Sequence, residues 1–201
     1  MKRVFGLIFL LVFFFSLWTA GMDEAAAAGL PDKLLRLRVV AESDSGADQA
    51  DKLLVRDAVL RSLRPLIADC GSLEEARAVT AAALPLLAEA AGEALGDRAL
   101  PLVLRLGQED CPLRPYEDFT LPAGQYETLT VTLGSGEGHN WWCVVFPPLC
   151  LAAAGDTGEE GEDEEWSVFS PAEKRLVTSG GVELRFRCLE LLERLRTWLG
   201  G

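Results

Sequence analysis

The chain has 201 residues, 49% of them hydrophobic, and a formal net charge of −12. That is about one domain's worth of chain with enough Leu, Val and Ala for a core. So acidic a surface repels nucleic acid and anionic headgroups, and with no Lys/Arg cluster present nucleic-acid binding is excluded.

Lys2 and Arg3 open the chain, and Val4 to Trp18 follow as an apolar run broken only by Gly6 and Ser16. Small residues, Ala25 to Ala28, come next. A basic start, an apolar stretch of this length and an Ala-x-Ala site make a secretory signal peptide over residues 1–28, with cleavage near Ala27 or Ala28. A spanning anchor needs about 20 apolar residues, which this run reaches only by borrowing Thr19, Ala20 and Gly21. Residues 29–201 are then one extracytoplasmic domain.

Leu35, Leu37 and Val39 alternate with Arg36 and Arg38, which predicts a half-buried strand. Ser45 with Asp48 three residues on reads as a helix N-cap. The helix that follows places Val55, Val59, Leu63 and Leu66 on one stripe, supported by Leu54, Ala58 and Ile67, and Pro65 should kink or end it near Arg64. Ser72 to Glu75 is a second capping signal for an Ala-rich helix with Ala76, Val79, Ala83, Leu84 and Leu87 inward, stopping at Gly96. The period then changes to two. Leu100 to Leu106 predicts one strand; Cys111 to Phe119, interrupted by Pro112 and Pro115, an extended edge. Leu121 to Gly124 is turn chemistry, and Gln125 to Leu133 a strand with Leu129, Val131 and Leu133 inward and Thr128, Thr130 and Thr132 outward.

Six of the seven residues from Glu159 to Glu165 are acidic, which predicts a solvated, disordered loop over about 155–165 and no cation site. A short helix from Pro171, a strand at Val182 to Phe186 and an amphipathic helix at Leu189 to Leu199 close the chain. The fold class expected is α+β: a mostly antiparallel sheet, two helices after the first strand on one face, and a C-terminal strand and helix.

All five cysteines lie after the signal, so disulfides are open to them and one thiol is left over. Cys143 and Cys150 flank Pro147-Pro148, and two readings stand for them: a bridge, or two buried reduced thiols. No Cys/His pattern supports a metal. Glu137, His139 and Cys143 invite a thiol-catalysis reading, but Gly134, Gly136 and Gly138 disfavour the helix that would bring base and thiol together. Gly134 to Gly138 lacks the ending of a phosphate loop and reads as a flexible hairpin turn.

Asn140 to Cys150 gathers Trp141, Trp142, Phe146, Pro147 and Pro148 into eleven residues. Strand alternation puts Trp141 and Trp142 on opposite faces, and two readings stand: simple packing, with one buried and the other covering a hydrophobic edge, or a partner-binding patch.

The same segment, Asn140-Trp141-Trp142-Cys143 running into Phe146-Pro147-Pro148-Leu149-Cys150, resembles the signature of the stage II sporulation protein R family. Leu37-Arg38-Val39-Val40-Ala41, Ser43-Asp44-Ser45, Asp48-Gln49 and Val55-Arg56-Asp57-Ala58-Val59 are similar to its N-terminal signature. Leu121 to Gly124 with Tyr126-Glu127 matches its middle. Glu42 stands where a neutral Asn is expected, and the acidic loop is peculiar to this chain.

The resemblance implies a non-catalytic messenger of endospore formation, without cofactor or small-molecule substrate. It would be secreted from the forespore into the intermembrane space and would activate a membrane-embedded aspartic protease of the mother cell from its extracytoplasmic side. That protease processes a pro-sigma factor. The partner-binding residues expected are Trp141, Trp142, Phe146, Pro147 and Pro148, with Asp44 and Arg56 as weaker candidates. The competing class is a cell-envelope glycan-binding module or thiol enzyme using the tryptophans with His139 or Cys143.

Overall fold

The computed structural model describes Phe13 and residues 28–98, 100–116, 119–149 and 168–178. The signal segment apart from Phe13 and Ala28, the acidic loop, Cys150, and the C-terminal strand and helix lie outside the described residues. Two compact units divide the chain.

The larger unit begins with a 3-10 turn at Pro31–Lys33 and strand β1 at Leu35–Val40. Helix α1, Gly46–Ile67, starts where expected: the Ser45 hydroxyl accepts from the Asp48 N–H at 3.1 Å. Its buried stripe is Val55, Val59, Leu63 and Ile67, one per turn, with Ala58 beside it. Leu54 and Leu66, expected inward, are exposed, because the stripe runs at a strict spacing of four. Pro65 does not end the helix at Arg64. It sits in the last turn, where only one hydrogen bond is forfeited before Ile67.

Helix α2, Leu73–Leu95, is capped by Ser72, whose hydroxyl accepts from Glu75 N–H, and ends at Gly96, φ 56°. By length and composition α2 could cross a membrane. It is capped at both ends and buries Ala76, Thr80, Ala83, Leu87 and Ala91 as one stripe, the pattern of an amphipathic helix laid on a sheet.

Strands β2 (Leu102–Cys111), β5 (Gly124–Leu133) and β6 (Asn140–Phe146) complete a four-stranded sheet in the order β2-β5-β1-β6. Two of its pairings, β2 with β5 and β1 with β6, are antiparallel; β1 and β5 run parallel. The sheet is therefore mixed. Because β1 inserts between β5 and β6, the Gly134–His139 link is a crossover and not a hairpin. It is tied to the end of β1: Glu137 N–H donates to the Glu42 carbonyl at 3.1 Å and Gly138 N–H to that of Ala41 at 3.0 Å.

Register assigns the two faces. Leu37, Val39, Leu129, Val131, Trp141 and Cys143 share the face under α1 and α2, where Arg77 of α2 reaches the buried Glu127 at 2.7 Å. Arg36, Arg38, Tyr126, Thr128, Thr130, Glu109 and Trp142 share the other. Thr128 and Thr130, expected outward, are buried, because this second face carries its own layer of side chains.

In the smaller unit β3, Arg114–Pro115, pairs with β4, Thr120–Leu121, and Tyr116 stacks on Phe119 with ring centroids 4.5 Å apart. Here also helix α3, Pro171–Thr178, opens on a reciprocal cap between Ser170 and Glu173.

Candidate functional site

The expected binding residues divide by position. Trp142 is 8% exposed, and Phe146 and Pro147 are buried too, so none of these three offers contact surface in this conformation. The reason for Trp142 is electrostatic as well as steric. The Arg36 guanidinium lies 4.7 Å from its ring centroid and that of Arg38 lies 5.1 Å away, while Arg36 also stands 5.1 Å over Tyr126. A desolvated cation over an indole is worth about 2 kcal/mol. Glu109 offsets one of the cations, accepting from Arg38 at 3.2 Å and from Thr130 Oγ1 at 2.7 Å. Burial pushes the Tyr126 phenol up to about 12, against the lowering pull of Arg36.

Trp141, Asp44, Arg56 and Pro148 stay accessible, and the structure brings the first three together with His139. Asp44 accepts from the His139 backbone N–H at 2.7 Å and pairs with its imidazole Nδ1. Lys52 Nζ donates to the His139 carbonyl at 3.1 Å and to Gln49 Oε1. The Arg56 guanidinium lies 5.0 Å from the Trp141 ring centroid and is itself paired with Asp57 at 2.7 Å. Pro148 lies just beyond the far end of β6.

The geometry follows from two periodicities. Lys52 and Arg56 are four residues, about one helical turn, apart, or about 6 Å along α1. His139 and Trp141 are two residues apart along an extended segment, about 6.6 Å. One side of the helix therefore meets one side of the strand residue for residue, and Asp44 closes the ladder at the helix N-terminus.

Charge fixes this corner. The imidazole and backbone bonds from His139 hold the Asp44 carboxyl below its ordinary value of 3.8. Hydrogen bonds from Ser43 and Ser45, with help from Arg98, lower Asp48 in the same way. Burial lowers Lys52, an effect that Asp44 opposes. On the crossover, the Glu42 carboxylate accepts from Ser135 N–H at 3.2 Å. Gly134 has φ 54°, a backbone conformation that favours glycine, and a side chain there would also displace that carboxylate.

Thiol chemistry finds no geometry here. Cys143 is 0% exposed on the helix-covered face, whereas the His139 side chain is 80% exposed and turned to Asp44. The Cys143–Cys150 pairing lies outside the described residues. No cluster of metal-binding side chains occurs among the described residues.

Lys52, Arg36 and Arg38 were not among the residues the sequence singled out. The signal for the arginines was present in the alternation of β1, which puts both on the face that parity also assigns to Trp142 once β1 and β6 are known to pair. Nothing local announces Lys52, since its partner lies 87 positions away.

A family model described as Stage II sporulation protein R matches residues 31–156, which contain the whole sheet, both long helices and the corner just described. Stage II sporulation protein R of Bacillus subtilis (strain 168) is 38% identical over 153 residues, 74% of this chain and 68% of that protein. The chain belongs to the stage II sporulation protein R family. No solved structure matches it. Family membership gives the chain a role in sporulation, and it places the Asp44–His139–Trp141 corner within the part of the chain that the family shares.

Proposed function

We propose that this chain is an exported messenger of endospore formation. Residues 1–28 carry it out of the forespore, and in the intermembrane space it activates a membrane-embedded aspartic protease of the mother cell, which then processes a pro-sigma factor. It acts by binding and not by catalysis. A ligand activates a receptor only as far as it binds the active state better than the inactive one. The observation that carries the reading is membership of a sporulation family over the very segment that builds the exposed corner. That corner combines a half-exposed tryptophan, its arginine and an ionic clamp, the residue types that concentrate binding energy at interfaces.

The test is complementation in an endospore former lacking its own family member. The full chain, made in the forespore, restores shortening of the pro-sigma factor on an immunoblot, and a chain lacking residues 2–28 does not. Accumulation outside the forespore without processing overturns the reading, as does processing by the unexported chain. Co-purification with the protease's extracytoplasmic region checks the contact directly.

A further inference from the structure

Strand β2 is an edge of the sheet: among the described residues its only strand partner is β5. It is ten residues long, contains no proline, and keeps an unbroken register with β5 from Leu102 to Cys111. Proteins ordinarily blunt such an edge by bulges, prolines, charged side chains or a covering element, because unpaired backbone groups template another strand; of these devices β2 shows only charges, Arg105, Glu109 and Asp110.

Gly107 sits in the middle of it. A strand-interior glycine marks a bulge, a tight bend or the close approach of another backbone. The register shows no bulge at Gly107, its φ is not positive, and a Cβ there would meet nothing within 4 Å. None of the described residues requires a glycine at this place.

The side chains choose the occupant. A two-fold axis perpendicular to the sheet maps each face onto itself, so β2 can pair with a second β2 only in registers that match residues of one parity. Centring on Arg105 sets like charges opposite each other, and so does centring on Glu109. Centring on residue 106 or 108 leaves Arg105, Glu109 and Asp110 all facing neutral residues, and Asp110 faces a leucine in the Gly107 register too. Centring on Gly107 sets Arg105 opposite the copy's Glu109, twice by symmetry. Arg105 is exposed and makes no ion pair among the described residues, and Glu109, which already accepts from Arg38 and Thr130 of its own chain, lies on the same face of the sheet. The exposed Val103 is covered in this register.

We propose that β2 is the contact between two copies of this chain, pairing antiparallel about Gly107 to make one continuous eight-stranded sheet. The two copies present their Asp44–His139–Trp141 corners as a symmetric pair.

The test uses the full chain with Gly107→Cys, a substitution into open space that leaves the fold intact. Residues facing each other across an antiparallel pair have Cα atoms about 4.5–5.5 Å apart, within the about 4.4–6.8 Å a disulfide spans. Mild oxidation should convert Gly107→Cys to a covalent dimer while Arg105→Cys, whose copy lies four register positions away, stays monomeric. Arg105→Glu, folded by circular dichroism, should weaken the dimer by at least about tenfold in sedimentation, since two attractive cross-strand pairs become repulsive. Equal cross-linking of the two cysteine variants overturns the proposal. So does a wild-type chain that stays monomeric at its highest soluble concentration, which would leave the edge to a receptor strand or to none.

Discussion

On one face of the sheet Leu37, Val39, Leu129 and Val131 lie under two helices and are held by apolar contact. On the other face Arg36, fully buried, lies over the rings of Tyr126 and Trp142, with Arg38 and Glu109 completing a charged layer. The centre of each face is closed to water, by different physics, while Val103 and Arg105 at the β2 edge of the second face stay exposed. The apolar face tolerates apolar side chains of about the right volume. The second is specific, because a buried guanidinium is stable only while its partners stay in place. A tryptophan in each layer sharpens the contrast: Trp141 leaves the helix side half-exposed, and Trp142 is enclosed.

The largest expected effect is on the charged layer. Trp142→Ala removes a buried indole and uncovers Arg36 at once, and should cost about 4–5 kcal/mol in urea unfolding. Leu37→Ala, on the helix side, opens a cavity only and should cost about 3 kcal/mol. A double-mutant cycle of Trp142→Ala with Arg36→Met should show coupling of about 1–2 kcal/mol, while Leu37 and Trp142 add independently. If Leu37→Ala proves the costlier change, or if the cycle shows no coupling, the two faces are not held differently.

A smaller effect belongs to Tyr126, and its sign is fixed. The phenol is raised by burial to about 12 in the fold, against 10.0 when free. The folded form thus keeps the proton that the unfolded form releases between these values. The stabilisation is fully present below pH 10 and is lost as pH rises through the folded value. Two pK units amount to about 3 kcal/mol. Phenolate absorbance in a Tyr116→Phe background, where Tyr126 is the remaining tyrosine, should rise only with unfolding. Ionisation near 10 in the folded protein would place Tyr126 outside the buried layer.

Much of the fold could be read in the sequence wherever the deciding interaction is local. Ser45 and Ser72 cap their helices as their side chains predict, Gly96 ends the second helix, and the alternation of Leu129, Val131 and Leu133 marks the inward face of β5. The misses depend on pairings distant in sequence. Thr128 and Thr130 look like a solvated face until β1 brings Arg36 and Arg38 opposite them from about 90 positions away. The same insertion of β1 turns the glycine-rich segment from a hairpin into a crossover anchored on Glu42. For the candidate site, alternation correctly separated Trp141 from Trp142 but could not say which was enclosed, since that depends on the β1 arginines. Asp44 and Arg56 entered through the family resemblance, and only the fold brings them to His139 and Trp141.

The smallest expected effect on stability carries the largest consequence for function. Trp141 is partly exposed and held by one arginine that Asp57 already neutralises, so Trp141→Ala should cost about 2 kcal/mol, from the apolar area it covers on the helix side and one cation–π contact. The ladder beneath it, Asp44 to His139 and Lys52 to the His139 carbonyl, uses backbone groups that the substitution does not touch. The variant should therefore still be exported and folded, with a melting temperature only modestly below wild type. Rigid aromatic surface beside an arginine is the kind of feature that dominates an interface when removed. Pro-sigma processing by Trp141→Ala should accordingly fall at least about tenfold, whereas a Leu53→Ala variant on the exposed side of α1 should process normally. A folded, exported Trp141→Ala protein that triggers processing in full would move the receptor contact away from this corner. The distinction between the two tryptophans would then be one of packing alone.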